Sequence, residues 1–152
     1  MPETVDFTGS TARFKLPYLF AGQSQKEFFV NEAHARTDLL LQPAVEGEAD
    51  SPPLSPGDGE VWLISSHPTG EWADKADVIA GFAGGSWLFL APTSGLRVWD
   101  KSTRQELLFD GLWLRPEKPD DPIGGEVVDV ELREAFSSLV EALRISGIFP
   151  SQ

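Results

Sequence analysis

The chain holds no cysteine and a single methionine in 152 residues. Without thiols it has no disulfide framework, no cysteine nucleophile and no thiolate-bound zinc. Cationic side chains are also scarce: twelve Lys and Arg stand against twenty-four Asp and Glu, a formal net charge of -12. A surface of that sign repels phosphate backbones and anionic lipid heads, and no local basic cluster interrupts it, so nucleic acid is not an expected partner. Long hydrophobic runs are missing as well. Stretches such as Trp87 to Ala91 fall far short of the roughly 20 apolar residues that span a bilayer, so no membrane insertion is expected. Near the start, Arg13 and Lys15 precede a short apolar stretch from Leu16 to Ala21, but Pro17 interrupts it, which predicts no secretory signal.

The residue types that carry most enzyme chemistry are equally thin. The two histidines, His34 and His67, have no second His or carboxylate at a full metal-ligand spacing; His34 and Asp38, four apart, make half a site at most. Ser94 and Ser86 each lack one of the glycines that flank the serine of a nucleophile elbow. Gly57 and Gly59 precede a strand pattern with no Lys-Ser/Thr pair, so they read as turn glycines and not as a phosphate loop. Carboxylates are abundant, yet no pair stands out from the acidic surface. The expectation is therefore a protein that is not an enzyme, with no catalytic residue, no bound metal and no cofactor.

What is present is enough for one modest core. Hydrophobic residues make up 41% and charged residues 24%, ordinary values for a soluble globular domain. Seven of the twelve prolines fall in two short windows, Pro43 to Pro56 and Pro116 to Pro122, which divide the chain. This gives an N-terminal arm and helix over residues 1–42, a β module over 57–114 and a C-terminal amphipathic helix over 127–147, joined by solvated linkers at 43–56 and 115–126. No long-period repeat is present.

In the first piece, Ser24 followed by Glu27 has the spacing of a capping box, which predicts a helix from about residue 25 to 41, stopped by Pro43. The β module alternates short runs with turn signals: residues 60–65, 77–83, 86–90, 96–100, 105–109 and 112–114. Gly84-Gly85 and Asp110-Gly111 suit two-residue hairpins, so the expected fold class is α+β, a small antiparallel Trp-rich meander flanked by two helices. Strand 86–90 is apolar on both faces and needs cover from a helix or a neighbouring subunit. In the last piece Asp129 is a cap, Gly147 ends the helix, and Leu132, Phe136, Leu139 and Leu143 form an a/d stripe. That stripe packs either on its own chain or on a neighbouring subunit. It is the candidate oligomer interface.

Five tryptophans all lie in the middle module: Trp62, Trp72, Trp87, Trp99 and Trp113. Each ring buries on the order of 150–250 Å², so most serve as core. An exposed indole stacks on sugar rings or on a partner protein, and Trp72 and Trp99 are the candidate ligand-contacting rings. Trp72, in a loop-like polar stretch from Thr69 to Lys75, is the ring expected to be most exposed.

The order of motifs carries a resemblance. Leu16-Pro17-Tyr18-Leu19, Gly22-Gln23-Ser24-Gln25-Lys26, Asn31-Glu32-Ala33, Pro52-Pro53, Gly59-Glu60-Val61-Trp62-Leu63, Gly70-Glu71-Trp72-Ala73, Gly85-Ser86-Trp87-Leu88-Phe89 and Pro92-x-x-Gly95 together resemble the DUF2793 family over about residues 14–114. Members are similar to tail-fibre or spike proteins of tailed phages and of gene transfer agents in α-proteobacteria. The resemblance implies a non-enzymatic structural or attachment component of a phage-like particle, a tail fibre, spike or adaptor. It implies a homo-oligomer, with a trimer favoured, assembled with other virion proteins and contacting a host-surface polysaccharide. Such a chain is made in the bacterial cytoplasm and resides in the particle, with residues 1–11 as a peg into a neighbouring protein. The alternative is a free-standing carbohydrate-binding module.

Overall fold

The computed structural model describes residues 9–125 and 129–151. Most of the expected N-terminal peg and the expected start of the last helical segment at Val127 lie outside the described residues. Two compact units are present, Met1–Pro92 and Thr93–Gln152. The class is α+β, two helices and eight short strands.

The first unit begins with a hook. Ser10 bridges Pro17 in antiparallel fashion, and the turn is held against helix α1, Lys26–Leu40. Buried Asp38 of α1 accepts hydrogen bonds from the Thr11 hydroxyl and from the backbone amides of Arg13 and Phe14. Arg13 in turn donates its guanidinium to the carbonyls of Asp38, Leu39 and Gln42, at 2.8–2.9 Å. Those are carbonyls at the helix C-terminus, where a cation is favoured by both hydrogen bonding and the helix dipole.

The expected capping box does not form. Ser24 and Gln25 both take left-handed backbone angles, φ 57° and 64°, and no side chain caps α1. Glu27 instead accepts from the amide of Gly22 at 3.2 Å. Two consecutive left-handed residues swing Ser24 away from the position a reciprocal cap requires.

After α1 come β1 (Ala44–Val45), β2 (Glu48–Ala49), β3 (Val61–Ile64), a 3-10 turn (Gly70–Trp72), β4 (Ile79–Ala83) and β5 (Ser86–Leu90). The sheet order β2-β3-β4-β5 is mixed, since β2 runs parallel to β3 while β3-β4 and β4-β5 are antiparallel. This amends the purely antiparallel expectation. Residues 50–60, which include the end of the expected linker 43–56, are the crossover that a parallel pair needs. Gly84 and Gly85, both at positive φ, turn β4 into β5 as expected of a tight hairpin.

Both faces of this sheet are covered. On one face Leu39 of α1 lies against Gly81, so closely that a β-carbon there would overlap the Leu39 side chain. On the other, Trp72 comes down from the 3-10 turn onto Ile64 and Ala80, with Trp62, Val78, Trp87 and Phe89 around it. The cover that strand 86–90 demanded is thus one helix and one indole.

In the second unit, β6 (Arg97–Asp100), β7 (Gln105–Phe109) and β8 (Trp113–Leu114) pair antiparallel in chain order. Helix α2 spans Val130–Ile145, and Asp129 caps it by accepting from the Leu132 amide at 2.9 Å. Its far end is tied to the strands: the Glu106 amide donates to Gly147 O, the Gln105 side chain to Ile148 O, and the Ser151 amide to Thr103 O.

Candidate functional site

On the Trp72 face of the first unit, the β4-β5 hairpin places Phe82 directly opposite Trp87. Their ring centroids are 5.1 Å apart at 63°, and Trp72 meets Trp87 edge-on at 5.1 Å and 82°. Edge-to-face pairs of this kind fix ring orientation. The crossover arches past this cluster and adds Pro52, Pro53 and Pro56 as a stiff wall with fixed φ. The result is an open groove of about 880 Å³, within the roughly 300–1,000 Å³ of ligand-sized clefts.

The chemistry of the groove is adhesive. Phe82, Trp87 and Phe89 offer ring surface, while Ser51, Ser86 and Glu71 offer polar atoms at the rim. Glu71 is the one ionisable side chain in its lining, so the groove holds no pair of groups for acid-base exchange. It can stack a planar or pyranose face and accept hydrogen bonds from hydroxyls.

Trp72 does not serve as an exposed ring. It has 0% relative exposure and is the largest fully buried side chain, correcting the expectation drawn from its polar surroundings. The turn through Gly70, at φ 62°, folds the indole under the loop, leaving Glu71, Ala73 and Asp74 outside. Its ring nitrogen has no hydrogen-bond partner among the described residues. Trp99 fares differently: it is 38% exposed on β6, with Gly147 packed so tightly against its six-membered ring that no side chain fits there.

The C-terminal stripe is mostly uncovered. Leu132 is 66% and Leu139 55% exposed, Phe136 and Leu143 are half-buried, and Val140 is the one buried residue of α2. Val140 packs inward with Phe136 and Leu143 on the same helix face, while Leu132 and Leu139 face out. Assigning Leu132 and Leu139 to d, and Phe136 and Leu143 to a, puts Glu131, Glu134 and Glu141 at c and f, away from the seam. The flanking positions hold Arg133, Ala135, Val140 and Ala142, with no carboxylate.

Neither histidine enters a site. His34 has Nδ1 2.9 Å from the Pro17 carbonyl, and His67 has Nδ1 2.9 Å from the Ser66 hydroxyl. No group of three His, Asp or Glu able to hold a metal occurs among the described residues, and no described helix is long and apolar enough to cross a membrane. One carboxylate is strongly engaged: burial alone pushes Asp100 up, but hydrogen bonds from Ser102, Arg115 and Thr103 outweigh it and hold the carboxyl below its usual range.

Sequence reasoning did not find the groove. Its wall comes from the proline-rich crossover, read as a linker, and Phe82 is a ring that carries no motif. The Phe82–Trp87 register across Gly84-Gly85 is the signal that leads to it.

A search of curated proteins and a search of solved structures each found no match. The family model described as "Protein of unknown function (DUF2793)" matches residues 30–114, which include every residue lining the groove. The match covers more than half of the 152 residues, and the chain belongs to the DUF2793 family.

Proposed function

We propose that this chain is a non-enzymatic structural or attachment component of a phage-like particle, which self-associates through α2 and contacts host-surface polysaccharide through the groove beside Trp87. One observation carries the reading: in the Leu132, Phe136, Leu139 and Leu143 stripe, Leu132 and Leu139 stand open to solvent and Phe136 and Leu143 are only half-buried, on an otherwise folded unit. A second copy is the occupant that fits. Apolar side chains repeat at spacings of four, three and four, as in helix-to-helix seams, and no carboxylate within α2 falls at a position flanking them. Two copies meeting there bury leucine against leucine. Resemblance to fibre and spike proteins suggests three copies, joined to other virion proteins.

Density-gradient fractionation of producing cells tests this. The wild-type chain is expected to sediment with assembled particles and the Leu139→Glu chain to remain at the top; a wild type that never leaves the soluble fraction overturns the proposal.

The groove also supports a second reading, a free-standing carbohydrate-binding module. The two separate cleanly: the free module binds glycan through Trp87 as a monomer and does not sediment with particles.

A further inference from the structure

A second recess, in the other unit, has chemistry of its own. Trp99 of β6, Arg104 at the end of the β6-β7 loop, and Arg144, Ile145 and Ser151 at the far end of α2 enclose about 240 Å³. That is just below the roughly 300–1,000 Å³ of pockets for drug-sized ligands, so it accommodates one ring or one small acid. The recess is built into the fold. The Ser151 amide is held by Thr103 O at 2.8 Å, the Glu106 amide by Gly147 O at 2.7 Å, and Gly147 fixes the indole of Trp99.

Two guanidinium groups converge here in a protein with only twelve Lys and Arg. Arg144 is partly committed: Nε and Nη2 pair with the Glu141 carboxylate at 2.8 and 2.6 Å, and Nη1 donates to Ser151 O at 3.2 Å. Arg104 makes no hydrogen bond or ion pair among the described residues. Its backbone is left-handed, φ 56°, a conformation glycine adopts at least cost. The loop thus carries a long cationic side chain where turn geometry alone favours none, and that side chain borders the recess.

We infer that the Trp99–Arg104–Arg144 recess binds a carboxylate-bearing sugar, a hexuronate unit of an acidic polysaccharide. This rests on the polysaccharide part of the proposal above and names the glycan class. A guanidinium offers paired N–H donors in the geometry a carboxylate accepts, and the partly exposed indole beside it offers a face for the pyranose ring. Hydroxyls of the sugar reach Ser151. The Glu141 carboxylate at the recess is already paired with Arg144, which leaves Arg104 as the main donor to the sugar carboxylate, and repulsion from charges beyond about 8–10 Å is screened at physiological ionic strength.

The test follows the indole and backbone amide signals of the ¹⁵N-labelled full chain by NMR during titration with sodium D-glucuronate, with D-glucose and acetyl-diglycine as comparison probes. Saturable shifts of the Trp99 indole N–H with glucuronate are expected, with little response to glucose or to the peptide carboxylate. The decisive variant is Arg104→Gly. Glycine suits φ 56°, so thermal stability is expected to hold or rise, while glucuronate affinity falls about tenfold or more with loss of the charge-assisted bonds. Arg36→Gln, which removes a charge on α1, is expected to leave the titration unchanged.

Glucose binding as tightly as glucuronate, or Arg104→Gly binding glucuronate like the wild type, overturns the inference. Acetyl-diglycine binding as tightly as glucuronate overturns it in favour of a pocket for a protein carboxylate. If the Trp87 indole responds to neutral oligosaccharides while Trp99 stays silent to glucuronate, this inference fails and the groove's role stands. Silence of both rings to every sugar removes both.

Discussion

Gly81 shows at the scale of one residue how α1 and the sheet are fitted together. The Leu39 side chain occupies the space a β-carbon would take, so the glycine is there for close approach. Gly81→Ala forces that contact apart and is expected to cost about 1–3 kcal/mol, the usual range for overpacking, read as a lowered urea midpoint. Asp100 makes a second single-residue case. Its folded-state acidity is stronger than in an unfolded chain, so it stabilises the protein above the ordinary carboxylate range. That contribution is lost as pH falls through the lower, folded-state value. Urea titrations across the acid range should show stability falling on acidification, and Asp100→Asn should flatten that limb while lowering stability at neutral pH. Unchanged acid dependence in the variant would place the sensitivity elsewhere.

Among the elements, α1 is secured from outside. It begins without a side-chain cap, and its C-terminal carbonyls are served by Arg13 from the preceding hook. Arg13→Ala removes three charged hydrogen bonds at once and is expected to destabilise the first unit by about 1–3 kcal/mol, with faster amide exchange in the last turn of α1. Exchange faster only in the first turn would contradict the assignment. The strands, by contrast, were legible: residues 61–64, 79–83, 86–90, 97–100, 105–109 and 113–114 fall inside the expected runs, because period-two patterning and glycine turns are local signals, although the expected two-residue Asp110-Gly111 turn takes in Leu112 as a third residue between paired Phe109 and Trp113. The cap of α2 at Asp129 was legible for the same reason. Three features were not. β1 and β2 are two residues each in a proline-rich stretch, so local propensity says loop, and for β2 it is the parallel pairing to β3 that says strand. Ser24 has the spacing of a cap, but left-handed angles at Ser24 and Gln25 are set by the chain's path back from the hook. Trp72 sits among Glu71, Ala73, Asp74 and Lys75, and only the sheet it covers shows that the ring turns inward.

Across the molecule as a whole, apolar surface is left uncovered unevenly. Rings that the sequence concentrates in the middle are mostly consumed in holding the sheet or shaping the groove, whereas Leu132 and Leu139 of α2 stay largely exposed. On the proposed reading, the exposed Leu132 and Leu139 of a helix that is capped, anchored at its far end and buried only at Val140 are surface for another copy. The most direct measurement is the absolute mass of the purified chain by light scattering at micromolar concentration. Three times the 16.6 kDa chain mass is expected for the wild type, and one chain mass for Leu139→Glu with its circular dichroism retained. A wild type that weighs one chain, or a Leu139→Glu protein that still weighs three, contradicts the account.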